Sequence, residues 1–150
     1  MRAVKDGYCG CMPGDHVSSA LRSMAAFNER SPDRLVAECD PECELVPFRA
    51  QLEGTSYQGH EAIRRFVRDI DEDWTGFKIE PQRVGQGGDR VVLTGRVTGS
   101  GRASGVDLDL VAGVVFEFRG ELIAKVRSYS DPDEAVRASG LELQTIEEAE

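Results

Sequence analysis

The sequence lacks an excess of basic residues. Its 150 residues include 18 Lys and Arg against 27 Asp and Glu, and the formal net charge is -9. Proteins that bind nucleic acid or an anionic membrane surface usually carry a basic patch, because they have to neutralise phosphate groups. We therefore expect no nucleic-acid partner and no membrane partner.

Long apolar runs are also absent. No run approaches the roughly 20 residues of a transmembrane helix. The N-terminal stretch MRAVKDGYCGCMPGD has no apolar core of the kind that a secretory signal needs, so we expect a cytoplasmic protein. The length suits one domain with a full hydrophobic core. We place a flexible tail at 1–14, the domain at 15–141 and an acidic tail at 142–150.

The cysteine spacing of a structural zinc site is missing. The four cysteines occur as Cys9-x-Cys11 and Cys39-x3-Cys43, whereas such sites usually combine C-x2-C pairs or cysteines with suitably spaced histidines. We expect no bound metal and no cofactor. Cys39 and Cys43 fall at positions that should be buried, where a reduced cysteine behaves as a small hydrophobic residue.

The patterns that are present predict helices followed by a sheet. Helices are expected at 16–30, 32–39 and 60–74, where the last has the apolar stripe Ile63, Phe66, Val67, Ile70 and Trp74. The charged residues of that helix, Asp69 among them, are assigned to its solvated face. Strands are expected at 43–48, 76–84, 89–100, 106–118 and 122–130, with short turn-rich linkers between the last four. A short helix at 131–140 follows.

The resulting order, α-α-β-α-β-β-β-β with a short C-terminal helix, is α+β. Together with the segments AAFNERSPDRLVAECDPECEL, YQGHEAIRRFVRDIDEDW, GDRVVLTGRVTGSGRASGVDLDL and RSYSDPDEAVRASGL, it resembles the SnoaL-like branch of the nuclear transport factor 2-like superfamily. The resemblance covers about residues 15–141. It implies a cone-shaped fold, in which a strongly bent, mostly antiparallel sheet wraps a long helix and leaves a pocket at the open end. It also implies a homodimer through the sheet.

The strand at 89–100 has an arginine in its middle. Alternation places Val91, Leu93 and Val97 on one face and Arg96 on the other. Since strand 106–118 is apolar on both faces, we expect an apolar convex patch that includes the first face and forms an isologous homodimer. Arg96 then points into the pocket. A buried arginine needs a partner, and we expect Glu44 to pair with it, either to bind a ligand carbonyl or carboxylate or as a purely structural ion pair. An arginine that reaches solvent is the remaining alternative.

The resemblance also indicates which catalytic residues are replaced. In the related limonene epoxide hydrolases an arginine is followed two residues later by one catalytic aspartate, and a second aspartate lies on the last strand. Arg96 matches the arginine, whereas Thr98 and Ser128 replace the two acids. A hydroxyl group is a poor general base near pH 7. Three positions that ketosteroid isomerases use also carry other residues here, namely Ser23, Val46–Pro47 and Val114. Neither mechanism is expected.

The expected function is therefore binding of a small hydrophobic, carbonyl-bearing molecule such as a polyketide or terpenoid. The protein would be either a cofactor-free isomerase or cyclase, or a non-catalytic dimeric binding or partner-interaction module. The catalytic candidates are Arg96, Glu44, Ser128 and Thr98. The expected ligand-binding residues are Phe27, Tyr57, Phe66, Trp74, Ile79, Leu110, Val114 and Val126.

Overall fold

The structure, a computed structural model, describes residues 13–47 and 56–146. Its helices are α1 (Pro13–Asn28), α2 (Pro32–Ala37), α3 (His60–Asp73) and α4 (Pro132–Ser139). Its strands are β1 (Cys39–Val46), β2 (Tyr57–Gln58), β3 (Trp74–Gly87), β4 (Arg90–Gly101), β5 (Asp107–Arg119), β6 (Leu122–Tyr129) and β7 (Gln144–Thr145). The tail expected at 1–14 falls almost entirely outside the described residues.

The described strands form one sheet in the order β2-β1-β6-β5-β4-β3-β7. Only β1 and β6 run parallel, and every other neighbouring pair is antiparallel. The long β3–β4–β5–β6 meander was expected from the short linkers between these strands. The α+β class and the cone-like arrangement of sheet and helices are confirmed. No helix in the described part of the chain is long and apolar enough to cross a bilayer.

Local sequence explains where the last two helices begin and end. α3 follows Gly59, whose φ of 89° suits glycine, and passes directly into β3 at Trp74. At the start of α4 the Asp131 carboxylate accepts a hydrogen bond from the Asp133 backbone N–H at 3.0 Å. α4 ends at Gly140, which has a left-handed φ of 72°.

The main core lies between α1 and the concave face of the sheet. α1 contributes Val17, Ala20 and Met24, which the helical spacing predicted as one face. α2 and α3 add Val36 and Ile63. The concave face supplies most of the other large members of the cluster, listed from β3 to β6 as Val84, Val91, Leu93, Val114, Phe116, Phe118 and Ile123. Val91 and Leu93 therefore face inward, and their expected place on a convex dimer surface is wrong.

A second apolar cluster explains why both faces of β4 and β5 are apolar. Val92 and Val115, on the convex face, are buried against Ala135 of α4. Gly113 allows this close approach, since a Cβ atom there would lie 2.4 Å from the Ala135 Cβ. Part of the convex patch that sequence reasoning assigned to a second copy is thus covered by the C-terminal helix of the same chain.

The sheet extends beyond residue 141, where we expected the domain to end. Gln144 and Thr145 pair with Val84 and Arg83 of β3, and Ile146 packs against the main core. This short strand covers one edge of β3. At least this part of the predicted acidic tail therefore belongs to the folded unit.

Candidate functional site

A cavity of about 470 Å³ lies between α1, α3 and the concave face of the sheet. Its closed end is formed by side chains that are themselves buried, namely Met24, Cys43, Leu93, Val114, Phe116 and Ile123. Cavities of this size can hold a small organic molecule. The burial of the surrounding wall makes this end suitable for an apolar group.

Aromatic side chains gather at the more exposed end of the cavity. Phe66 of α3 lies 5.9 Å from Phe27 of α1 and 5.2 Å from Tyr57 of β2, measured between ring centroids. On the other side, the rings of Trp74 and Phe77 are 5.6 Å apart. All five line the cavity. They give its open end flat apolar surfaces and, through the Tyr57 hydroxyl and the Trp74 indole, polar groups.

Two carboxylates lie at the same open end. Asp69 is half-buried and Asp73 is exposed, and both line the cavity from α3. The Tyr57 hydroxyl donates to Oδ2 of Asp69 across 3.4 Å. Among the described lining residues there is no Lys, Arg or His. The charge that a ligand meets on this wall is therefore negative.

Ser23 leaves space at the closed end. This residue of α1 is buried, lines the cavity and donates its hydroxyl to the backbone oxygen of Ala20 at 2.7 Å. The resemblance matched it with a tyrosine of ketosteroid isomerases. Because serine is much smaller and its hydroxyl is bonded within its own helix, this position adds volume here, and its hydroxyl proton is engaged within α1.

Cys39 and Cys43 form a buried thiol pair on the cavity wall. In the pairing of β1 with β6, residues 40–43 lie opposite Ala124 alone, so β1 bulges and brings the two thiols together. The hydrogen bond with Cys43, reinforced by burial, raises the pKa of the Cys39 thiol far above its ordinary range. Both cysteines are free and buried, which confirms the expected burial. They act as small lining groups of the cavity.

Comparison with known proteins identifies the family of this chain. The family model of the SnoaL-like domain matches residues 20–126. The chain belongs to the SnoaL-like domain family. A comparison with curated proteins gave no match.

Solved structures share the fold of this SnoaL-like domain at low sequence identity. An NTF2-like protein of unknown function from Burkholderia pseudomallei K96243 is 18% identical, with 83% of this chain and 97% of that chain covered and a TM-score of 0.70. TerC, co-crystallised with polyporic acid, is 20% identical, with 82% and 98% covered and a TM-score of 0.68. A candidate SnoaL-like polyketide cyclase from Jannaschia sp. CCS1 is 18% identical, with 83% and 90% covered and a TM-score of 0.69.

Arg96 does not point into the cavity of the SnoaL-like domain, so the predicted inward placement is wrong. Its guanidinium donates to both carboxylate oxygens of Asp109, at 2.8 and 2.7 Å, on the exposed face of the sheet. This pairing lowers the pKa of Asp109. The alternation of β4 was correct, but Leu93 and Val97 take the inner side. The alternative of an arginine at the solvent surface is the one observed.

The other three catalytic candidates are separated from one another. Glu44 stands between Cys43 and Leu45, which line the cavity, and its register partners are Gln58 and Lys125. Since neighbouring side chains of a strand alternate, Glu44 faces away, and its expected pair with Arg96 is not formed. Thr98 lies opposite Asp109 on β5 and is not a lining residue. Ser128 lines the cavity beside Val114.

Most of the predicted ligand-binding residues lie on the cavity wall. Those that line the cavity are Phe27, Tyr57, Phe66, Trp74, Ile79, Val114 and Val126. Leu110 is half-buried and does not line it, although Leu108 and Ala112 on either side along β5 do. Their role in binding a ligand stays a prediction.

Sequence reasoning missed the two acidic residues of the cavity. Asp69 had been assigned to the solvated face of α3, where charged residues usually lie. However, Phe66, Asp69, Ile70 and Asp73 are spaced at three and four residues, so all four share one helical face. This spacing could have placed both carboxylates beside the apolar stripe.

Proposed function

We propose that this SnoaL-like domain binds a small hydrophobic ligand in its cavity. The proposal rests on one observation, an apolar cavity of about 470 Å³ whose closed end is lined by buried side chains. A volume of this order is typical of pockets for small organic molecules. TerC, which shares the fold, was co-crystallised with polyporic acid, and this supports the binding of a small organic molecule by a domain of this fold.

The structure changes the expected anchor for the ligand. A carbonyl group was expected because Arg96 was placed inside, and Arg96 instead pairs with Asp109 on the outer face. Polar ligand atoms would meet Tyr57, Trp74 and Ser128. The acids among the described lining residues lie at the open end, away from the buried wall, and this favours ligand binding over the proton-transfer mechanisms of the related isomerases and epoxide hydrolases.

A cavity-filling variant tests the proposed function. Ala112 is buried and lines the cavity, so Ala112→Trp would place an indole in the empty space. We expect saturable binding of the neutral fluorescent probe N-phenyl-1-naphthylamine to the unmodified protein, and at least a roughly tenfold loss of affinity, about 1.4 kcal/mol, in this variant. Fluorescence titration measures the affinity and thermal denaturation checks the fold.

The matched control is Ala37→Trp, the same change at an exposed position of α2 outside the cavity. It should bind the probe like the unmodified protein. If Ala112→Trp folds and binds the probe with unchanged affinity, the probe does not occupy this cavity. If no hydrophobic probe binds the unmodified protein at all, the proposed function is wrong.

The proposal includes a homodimer through the convex sheet face, and a cytoplasmic location on the sequence grounds given above. α4 leaves part of that face open, and there Val111 is 44% exposed beside the Arg96–Asp109 pair. An isologous contact would cover this patch. We expect light scattering at micromolar concentration to give twice the chain mass of 16.4 kDa. A species of the single-chain mass would contradict the dimer. The cytoplasmic location is tested separately, by cell fractionation.

A further inference from the structure

Among the described residues that line the cavity, all those with a charged side chain are acidic. They are Asp69 and Asp73, four residues apart on α3 and both at the open end. An anionic ligand group at this end would be repelled by the two carboxylates, whereas a cationic group would be attracted. The half-buried Asp69 should contribute more than the exposed Asp73, because solvent screens exposed charges.

Aromatic rings lie at the same end of the cavity and also favour a positively charged ligand group. The face of an aromatic ring is electron-rich and attracts cations. Two of the rings already have an arginine over them. The guanidinium carbon of Arg30 lies 5.1 Å from the Phe27 ring centroid, and that of Arg65 lies 5.7 Å from the Tyr57 ring centroid. Neither arginine lines the cavity.

The Arg30 guanidinium is held outside the cavity by other bonds. It donates to the backbone oxygens of Phe27 and Phe77 at 2.9 and 2.7 Å and lies 3.5 Å from a carboxylate oxygen of Asp71. These contacts join the end of α1 to β3 and α3. Arg30 therefore has a structural role and does not neutralise the two lining carboxylates by direct pairing.

We propose that the cavity selects amphiphilic amines, with an apolar ring or chain in the closed end and an ammonium group at the open end beside Asp69 and the aromatic rings. The inference rests on the proposed function and narrows its ligand class. The Tyr57 hydroxyl holds the Asp69 carboxylate at the cavity wall. Burial of the apolar part supplies affinity, and the carboxylates with the rings supply the preference for a cation.

Three naphthalene probes of nearly equal shape test this preference at pH 7. They are 1-naphthalenemethylamine, which is cationic, 1-naphthalenemethanol, which is neutral, and 1-naphthoic acid, which is anionic. We expect affinities in that order, with the amine about tenfold tighter than the alcohol, from one cation–ring contact and one partly exposed ion pair. Calorimetric titration measures each affinity, and raising the salt concentration should reduce the difference.

Charge-removing variants locate the source of the preference. Asp69→Asn keeps the shape and can still accept from Tyr57, and we expect it to reduce the preference for the amine to about threefold or less while the affinity for the alcohol is unchanged. Asp73→Asn should have a smaller effect because this residue is exposed. Glu72→Gln removes the same charge from an exposed position of α3 that does not line the cavity, and should leave the preference intact.

The outcomes separate this inference from the proposed function. If all three probes bind with equal affinity and Ala112→Trp blocks them, the cavity binds apolar ligands and the preference for amines is wrong. An amine preference that Glu72→Gln lowers as much as Asp69→Asn would arise from the net charge of the protein and would also overturn the inference. If none of the three probes binds, both proposals fail.

Discussion

Replacing Phe116 by alanine is expected to lower the free energy of unfolding by about 3–5 kcal/mol. Phe116 is 1% exposed and lies on the inner face of β5, between Val91 of β4 and Val126 of β6. The loss combines the transfer free energy of the ring with the contacts that the surrounding side chains lose. Because Phe116 already borders the cavity, the vacated space adds to an existing void, which the core side chains cannot easily fill.

Urea denaturation measures this change, and the slope of the unfolding curve should stay the same because the same surface is exposed on unfolding. Val106→Ala is the control, since Val106 precedes β5, is 59% exposed and should shift stability by no more than about 0.5 kcal/mol. A loss below about 1 kcal/mol for Phe116→Ala would mean that this ring is not part of a packed core.

Replacing Gly95 by alanine is expected to cost about 2–3 kcal/mol. An added Cβ would lie 2.3 Å from the backbone oxygen of Glu80 and 3.0 Å from the Cα of Pro81. Both obstacles belong to the backbone of β3, which cannot rotate away as a side chain can. The β3–β4 register shifts just beyond Pro81, and the two strands approach closely at this irregular point.

Thermal or urea denaturation measures the loss, with Gly105→Ala as the control. Gly105 has a positive φ of 72° and open space around the added atom, so that change reports only the backbone cost of about 1 kcal/mol. Equal effects at both sites would show that the clash at Gly95 is relieved by a small strand shift, contrary to this prediction.

The helices and long strands could be predicted because their periodicities are strong. The stripe of α3 repeats at three and four residues, and the strands after it alternate between short glycine-rich turns. The start of β1 was less accurate, since the prediction began at 43 and the strand begins at Cys39. Asp40 and Pro41 are typical of a break, and only the parallel pairing with β6 extends the strand across a bulge there.

Which apolar face of β4 lies inside could not be decided from alternation. Val91, Leu93 and Val97 on one face and Val92 on the other are all apolar, and all four are buried. The first set packs against α1 and the cavity, and Val92 packs under α4. Because α4 comes from a segment some 40 residues further along the chain, no local pattern could show that it covers this strand.

By itself the sequence determined the order of the helices and long strands, the α+β class, the family and part of the aromatic and apolar lining, since these depend on local periodicity and on a recognisable arrangement of segments. The tertiary structure decided that Arg96 meets Asp109 outside, that Cys39 meets Cys43, and that Asp69 and Asp73 border the cavity. Each of these depends on how one element packs against another. In a strand, a shift of one residue is enough to move a side chain from the face of the sheet that lines the cavity to the face that meets solvent.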